Sequence, residues 1–315
     1  MTDVQTETAT AGTEPDRAEF LAGVSNEPVR RAIETLGDFP YRLDRLFPGT
    51  EGWRVGRQVK KRVKLVKLLE PLLPSLLYPD ETIHFVTRGV LNSFVEQYFM
   101  GLFAHLLNRT VFVVTNYRVI LLAADGKGRP RQWKWQIPFD QIRTFKGGGF
   151  LGSTLFHLAN HKKYKFSGVP SADRKFLHAY VNEHVSQAHD GSFVFPHYQS
   201  RDNLCPACCT PVEPKSAQCS ECGDRFMVPM VPTLMSLCLP CLGDFYMGHR
   251  GMATLELLGY GFIWLFLFGL LASEGISALP VVLFALAIEH GVDAALTYHV
   301  ARKGLCSTSR AWRGD

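Results

Sequence analysis

The chain has 315 residues, enough for about two domains, and a formal net charge of only +5. Basic residues gather in one early segment and at the C-terminal end instead of covering one domain, so we expect no nucleic-acid partner. Charge is concentrated in the first two-thirds, whereas the C-terminal third holds the longest uncharged stretches. This distribution is typical of a chain that lies partly in lipid.

The cysteine content indicates the compartment. Four of the eight cysteines form two Cys-x-x-Cys pairs, which favours metal ligation in a reducing compartment over a disulfide framework. The first 20 residues are rich in threonine and acidic residues and have no apolar core, so a signal peptide is not indicated. Because residues 1–19 cannot bury enough apolar surface to order themselves, we predict a disordered tail there.

Residues 20–77 are predicted to form a helical N-terminal region that contains a basic amphipathic helix. Between Arg54 and Leu77, valine and leucine recur every three or four residues and form one apolar stripe. In one interpretation the helix lies on anionic lipid, at about 1 kcal/mol for each basic residue, through Lys60, Lys61, Arg62, Lys64 and Lys67. In the other, the stripe packs on the next domain and the lysines are solvated.

Residues 78–190 are predicted to form a small β-rich domain closed by a helix. Turn residues separate candidate strands at 82–90, 110–114, 118–123, 132–137, 155–159 and 164–166. After Pro170, Ser171 can cap an amphipathic helix. The hairpin tip with Lys127, Arg129 and Arg131 is predicted to be solvated. The three glycines at 147–149 are predicted to form a bulge or turn.

Three segments of this domain carry a family resemblance. They are Pro-Asp-Glu-Thr-Ile at 79–83, the strand junction Thr-Asn-Tyr-Arg at 115–118, and Ile-Pro-Phe-Asp-Gln-Ile at 137–142. Together they resemble bacterial PH-like and GRAM-type domains. The resemblance implies a PH-like β-barrel or sandwich with a closing helix, which binds lipid or protein without chemistry. Residues 93–107 depart from the family pattern: their apolar positions have near-helical spacing, and packing on the barrel is favoured over dipping into the membrane surface.

The two Cys-x-x-Cys pairs lie within residues 200–227. Each pair makes a tight turn that places two thiolates on one side of the backbone, and two turns complete a tetrahedral site from Cys205, Cys208, Cys219 and Cys222. Four thiolates leave no open coordination position, which favours structural Zn²⁺, with iron or a redox-active thiol pair as alternatives. The pattern resembles short zinc ribbons beside membrane segments in bacterial and archaeal proteins. Cys238 and Cys241 are interpreted as buried small side chains.

Residues 228–302 are predicted to be a membrane module. The apolar runs at 257–272 and 276–301 approach the roughly 20 residues that a spanning helix needs, so we predict a transmembrane helical hairpin. Residues 226–242 are only just long enough to cross, and a third span, a re-entrant segment and an interfacial lead-in stay open. Residues 239–252 resemble the signature of the two-transmembrane-helix domain family, from which no activity is carried over.

The charges that flank the hairpin predict its orientation. Arg302, Lys303, Arg310 and Arg313 follow the last helix, whereas the loop at 273–275 carries only Glu274. The positive-inside rule therefore places the basic tail, residues 303–315, in the cytoplasm, with the chain integral to the plasma membrane. Two spans place the ribbon and the N-terminal domains in the cytoplasm too, in agreement with reduced thiols, whereas three would place them outside.

Three polar residues interrupt the second apolar run. Glu289 and Asp293 lie one helical turn apart, and His290 lies beside them. As a functional site they would relay protons or bind a metal. Hydrogen bonding within a bundle or oligomer, or a position nearer the membrane interface, is favoured instead, because one helix supplies all three and no second polar set complements them.

The sequence thus predicts a multidomain α+β membrane protein with a PH-like domain, a zinc ribbon and a transmembrane hairpin. The function predicted is a non-enzymatic, membrane-anchored adaptor or scaffold that contacts membrane lipid and either a protein partner or a second copy. The alternative is an oligomeric channel- or transporter-like protein that uses the polar residues of the last helix. No nucleophile–base pair, open metal site or cofactor fingerprint points to an enzyme.

Overall fold

A computed structural model describes residues 17–50, 53–149, 152–189 and 195–310. Most of the tail predicted over residues 1–19 lies outside these ranges. Residues 17–19 are helical instead of disordered. Residues 311–315 of the predicted basic tail also lie outside the described residues.

The N-terminal region is helical, as predicted. Its helices are α1 (Arg17–Ala22), α2 (Glu27–Glu34), α3 (Leu43–Leu46), α4 (Trp53–Leu69) and α5 (Leu73–Leu76). Asn26 starts α2, because its side-chain oxygen accepts a hydrogen bond from the backbone N–H of Val29 at 3.3 Å. α4 gives way to a 3-10 turn over Glu70–Leu72, which contains Pro71, because proline cannot continue a regular helix.

A sheet follows, interrupted by two short helices. The strands are β1 (Ile83–Leu91), β2 (Arg109–Thr115), β3 (Arg118–Ala124), β4 (Pro130–Pro138), β5 (Ile142–Gly149), β6 (Ser153–Leu158), β7 (Lys163–Ser167), β8 (Asp202–Leu204) and β9 (Pro211–Val212). They form one antiparallel sheet in the order β5-β6-β7-β1-β2-β3-β4-β8-β9. The interrupting helices, α6 (Phe94–Met100) and α7 (Leu102–Leu107), connect β1 to β2, and α8 (Ser171–His189) follows β7. The predicted β-rich domain followed by a helix is therefore confirmed, and its strands pair in the antiparallel sense.

The sheet buries both of its faces. One face packs on the N-terminal helices, where Val63, Val66 and Leu69 of α4 share a core with Val113 and Ile120. The other face packs on α8 around phenylalanines of β2, β6 and β7. The apolar stripe of α4 is thus covered by protein, as in the second interpretation of that helix.

β5 is absent from the predicted strands because its three C-terminal glycines read as a turn. The pairing of β5 with β6 shifts between Gly147 and Gly149, so the glycines form an irregularity inside a strand. Gly148 has a φ of +131°, which L side chains rarely adopt.

The family-like segments meet in a buried ion pair. Arg118 and Glu81 have side chains that are 1% and 0% exposed. The Arg118 guanidinium donates from Nε to Oε1 of Glu81 at 2.8 Å and from Nη2 to Oε2 at 2.7 Å. Nη2 also donates to the backbone oxygen of Leu76 at 2.7 Å, and Nη1 donates to Gln136. Because buried charges need a partner and satisfied hydrogen bonds, this network fixes the start of β1 against β3 and β4.

The cysteine-rich segment extends the same sheet. β8 pairs with β4, with Leu204 opposite Lys134 and Asp202 opposite Gln136. The Gln136 amide donates to Asp202 at 3.1 Å, and Lys134 donates to the backbone oxygen of Pro206 at 2.5 Å. The segment is therefore continuous with the β-rich domain instead of a separate unit.

The C-terminal part is a helical module. It contains α9 (Met230–Cys238), α10 (Leu242–Tyr246), α11 (Arg250–Glu274) and α12 (Leu279–Ala301), and a 3-10 turn at Gly275–Ala278 joins the last two. The Tyr260 hydroxyl of α11 and Nε2 of His290 in α12 form a hydrogen bond of 3.0 Å, so the two helices are in contact at this point. Gly243 allows α10 to approach α9 and α12, since a Cβ there would lie 2.7 Å from Thr297 Cγ2.

After α12 the chain returns to the cysteine-rich segment. Ser307 forms an antiparallel bridge with Phe226, and the Met227 N–H donates to the Cys306 carbonyl at 2.8 Å. The Thr308 N–H donates to the carbonyl of Arg225 at 2.9 Å. The chain therefore enters and leaves the helical module at one place, and residues 303–307 are packed against protein.

The α6–α7 segment differs from the packing favoured by the sequence. Met100, Ala104 and Leu107 are buried, but Phe94 and Tyr98 are 83% and 74% exposed. The spacing indicated helices correctly. The spacing could not indicate how many apolar side chains are buried. The contact that covers Met100, Ala104 and Leu107 is narrow, so the other apolar side chains that the structure describes in the two helices stay exposed.

Candidate metal centre and membrane-facing surface

The four predicted cysteines meet at one point. The Sγ atoms of Cys205, Cys208, Cys219 and Cys222 all lie within 4.8 Å of one another. Cys205 and Cys222 are 3.6 Å apart at sulfur, and Cys208 and Cys219 are 3.5 Å apart. Tetrahedral ligation with Zn–S bonds of about 2.3 Å requires sulfur–sulfur separations of about 3.8 Å. The thiols are therefore close enough to hold a metal ion, and their geometry fits a tetrahedral site.

Two backbone turns of the same kind create this cluster. The N–H of Cys209 donates to the Cys205 carbonyl at 3.1 Å, and the N–H of Gly223 donates to the Cys219 carbonyl at 3.0 Å. Cys209 and Gly223 both have positive φ angles, 62° and 71°. Cys209 therefore occupies the place of the glycine in the second turn, and its thiol lies outside the cluster.

The cluster includes thiols of different acidity. Burial raises the pKa of the Cys205 thiol. At Cys219 burial acts in the same direction, but backbone N–H groups of Cys222 and Glu221 donate to the sulfur and lower its pKa to about 7. Cysteine binds a metal as the thiolate. The Cys219 thiol therefore loses its proton to a metal more easily than the Cys205 thiol does.

A cavity lies where the sheet meets α11. It has a volume of about 250 Å³ and includes Arg109 at the start of β2, Arg131 at the start of β4, and Met252 and Leu255 in the first turns of α11. Among the described residues, neither guanidinium has a hydrogen-bond partner. Burial lowers the pKa of Arg131, and the carboxylate of Asp125 partly offsets this. The cavity thus combines two cations with an apolar wall.

The comparisons with known proteins concern the segment that carries these arginines. Residues 77–183 match the family model of the bacterial PH domain. The matched segment contains β1–β7 and most of α8. The predicted resemblance to bacterial PH-like domains is therefore confirmed. A search of curated proteins gave no match. PH domains commonly bind lipids or proteins, and the cavity lies at the end of the matched segment where β2 and β4 begin.

The basic helix α4 packs on the sheet through its apolar stripe. Lys60, Lys61, Lys64 and Lys67 are exposed on its outer face. Arg62 does not share that face. Its guanidinium donates to Asp173 at 2.6 Å and to the backbone oxygen of Leu46 at 2.7 Å. The predicted lipid contact of Arg62 is therefore wrong, because its guanidinium joins α4 to α8.

The polar residues of the last helix do not form one group. Asp293 accepts a hydrogen bond from the Cys241 N–H at 3.3 Å, and its carboxylate lies within 4.8 Å of those of Asp244 and Glu256. A second polar set therefore does complement Asp293, contrary to the expectation. Asp244 also pairs with His249 at 2.9 Å. Asp244 on α10 and Glu256 on α11 are far from Asp293 in sequence, so the sequence does not indicate that the three carboxylates are close.

His290 and Glu289 have other surroundings. His290 Nδ1 lies 2.7 Å from the backbone oxygen of Leu237, and its Nε2 contacts Tyr260, so it connects α9, α11 and α12. Oε2 of Glu289 is a buried oxygen without a hydrogen-bond partner among the described residues. Of the Cys238–Cys241 pair, Cys241 is buried as predicted, whereas Cys238 is exposed.

The helical stretch Arg250–Ala301 could cross a membrane by its length and composition. Its two helices, α11 and α12, contain 25 and 23 residues. Most of their apolar side chains face outward, with Phe262, Leu265 and Phe284 among the most exposed. An exposed apolar surface of this kind is typical of contact with lipid or another protein. The specific resemblance to the two-transmembrane-helix family stays a prediction.

Proposed function

We propose that the chain is a non-enzymatic adaptor anchored in the plasma membrane, with its PH domain at the cytoplasmic surface. α11 and α12 cross the bilayer as a hairpin, and the PH domain recognises anionic lipid headgroups beside them. The observation that carries this proposal is the cavity, because it joins Arg109 and Arg131 of the PH domain to the first turns of an apolar helix. The phosphate of a lipid headgroup can bind between the two guanidiniums, while the acyl chains of the same lipid lie along Leu255.

The return of the chain supports two crossings over three. Phe226, before the helical module, is paired with Ser307, after it. Both residues must therefore lie on the same side of a membrane, which requires an even number of crossings. α9 has 9 residues, too few to cross, and serves as a support for α12. With positive charges after α12, this common side is the cytoplasm.

The cysteine cluster is assigned to structural Zn²⁺. Four thiolates complete a tetrahedral coordination sphere, so the metal folds the segment and has no position for a substrate. Its position on the outer edge of β4 covers an otherwise open strand of the PH domain. A protein partner, or a second copy of the chain, would bind this composite surface.

Removal of the two arginines should weaken lipid binding. Arg109→Gln with Arg131→Gln is expected to lose about 2 kcal/mol, or about thirtyfold, in affinity for phosphatidylglycerol, because each cation near the membrane contributes about 1 kcal/mol. The full chain is purified in detergent and titrated with phosphatidylglycerol or with phosphatidylcholine. Native mass spectrometry measures the amount of each lipid that stays bound, and hence the two affinities.

The matched control is Lys127→Gln with Arg129→Gln, which removes the same charge from the exposed tip of the β3–β4 hairpin. Salt screens exposed charges more than enclosed ones. We therefore expect the control to resemble the unmodified chain in high salt, whereas the arginine variant keeps its defect. Equal affinities for both variants at high salt would exclude the cavity as the lipid site.

The channel- or transporter-like alternative is less well supported. It requires polar groups along a path through the module. Asp244, Glu256 and Asp293 instead gather near the end of the module where the chain enters and leaves. His290 holds helices together, which is the role expected of a packing residue.

A further inference from the structure

The geometry points to a second membrane contact in this chain. The α6–α7 segment is an interfacial foot that inserts aromatic side chains into the headgroup region of the bilayer. This inference rests on the proposed function, because it requires that α11 and α12 cross the same bilayer. It adds a contact that fixes the distance and the tilt of the PH domain relative to the membrane.

The foot has an outward apolar surface. Phe94, Tyr98 and Phe99 are 83%, 74% and 56% exposed, and Leu106 is 47% exposed. Phe94 and Tyr98 stack with ring centroids 6.3 Å apart, and Tyr98 meets Phe99 edge to face at 5.0 Å. Aromatic side chains are enriched at membrane–water interfaces, where an apolar ring and a polar hydroxyl can both be solvated well.

A buried charge network fixes the orientation of the foot. Glu96 is fully buried, and its carboxylate accepts hydrogen bonds from Lys303 at 2.5 Å and from the Asn108 amide. His299 Nε2 lies 3.1 Å from the other carboxylate oxygen. Lys303 and His299 belong to the end of α12 and the residues after it. The foot is therefore attached directly to the membrane module.

The level of the foot matches the boundary of the apolar helices. Its buried side chains, Met100, Ala104 and Leu107, pack on Met252 of α11 and Leu296 of α12. Exposed apolar residues of the two helices begin just beyond these contacts, at Leu255 on α11 and Val292 on α12. The exposed rings thus continue the apolar surface of the hairpin at the level where lipid headgroups lie.

The charge of the foot also fits a bilayer. Within residues 93–107 the acidic residue is Glu96, and it is buried and paired. The exposed side chains therefore bring no negative charge toward anionic headgroups. A short amphipathic segment held in this way enters the headgroup–acyl boundary with its apolar face.

Photo-crosslinking of the full chain tests the foot. p-Benzoyl-phenylalanine replaces Tyr98, and in matched variants it replaces Phe262 of α11 or Tyr198, which is 58% exposed at the opposite end of the PH domain. These exposed positions tolerate a larger ring without disturbing a core. Each protein is reconstituted in vesicles of phosphatidylcholine with phosphatidylglycerol, irradiated, and examined for lipid adducts by mass spectrometry. We expect the yield at position 98 to be within about threefold of that at 262 and about tenfold above that at 198.

The outcomes separate the foot from the proposed anchor. Lipid adducts at 262 without adducts at 98 would overturn the foot and leave the anchor standing. An absence of adducts at 262 would overturn the anchor, and the foot with it. Crosslinks from 98 to a second copy of the chain, or equal lipid adducts at 98 and 198, would also overturn the foot.

Discussion

Cys219→Ser is expected to lose bound zinc and to unfold residues 200–227 locally. Removing one of four thiolates breaks the tetrahedral site, and we expect the affinity for Zn²⁺ to fall at least about a thousandfold, or about 4 kcal/mol. The segment has a small core of its own around Cys205, Val212 and Phe226, so we expect a bound metal to supply much of its folding energy. Zinc per chain, measured on the protein purified in detergent, and hydrogen exchange in β8 and β9 report the two effects.

Cys209→Ser is the matched control for the zinc site. Cys209 is buried next to Cys208 and has a positive φ, as Gly223 has, but its sulfur lies 3.8 Å from the Ser75 hydroxyl and outside the cluster. It should therefore keep stoichiometric zinc. Retention of full zinc by Cys219→Ser, or an equal loss in both variants, would contradict the assigned ligands.

Arg118→Met should destabilise the PH domain by about 3–5 kcal/mol, because it leaves the Glu81 carboxylate buried without its cation. Gln136 and the Leu76 carbonyl would lose a hydrogen-bond partner in the same step. For a unit of 150–250 residues this corresponds to a melting temperature roughly 6–20 °C lower. Thermal unfolding of the purified chain, followed by near-ultraviolet circular dichroism, measures the change.

The double variant Arg118→Met with Glu81→Met tests the cause. It removes both charges, and replacing a buried ion pair by apolar side chains is often close to neutral. We expect it to recover most of the stability that Arg118→Met loses. A double variant as unstable as the single one would show that the uncompensated charge of Glu81 is not responsible.

Local patterns in the sequence predict much of the fold. The alternating apolar positions of β4, the amphipathic α8 and the apolar runs of α11 and α12 each lie within one element, so the local pattern contains the information. The cysteine cluster is predictable for a similar reason, since each Cys-x-x-Cys pair forms its turn locally. β5 escapes prediction because glycine has no side chain to indicate a buried face.

Contacts between distant segments are the part that the sequence does not reveal. Whether Arg62 faces lipid or Asp173 depends on where α8 packs, 111 residues along the chain. The pairing of β8 with β4 and the convergence of Asp244 and Glu256 on Asp293 also depend on tertiary packing. The sequence shows Arg131 as one of several charges in a hairpin. That Arg131 and Arg109 line the same cavity follows only from the position of α11.

We propose that a two-crossing hairpin holds the PH domain, the ribbon and the C-terminus on one face of the membrane. Reporter fusions in a bacterial host test it most directly. Green fluorescent protein, which fluoresces after cytoplasmic folding, is placed at the C-terminus, and alkaline phosphatase, which is active outside the cytoplasm, is placed in the turn after Glu274. We predict fluorescence at the C-terminus and phosphatase activity at the turn. Phosphatase that is inactive at the turn but active when fused at the C-terminus would contradict the account.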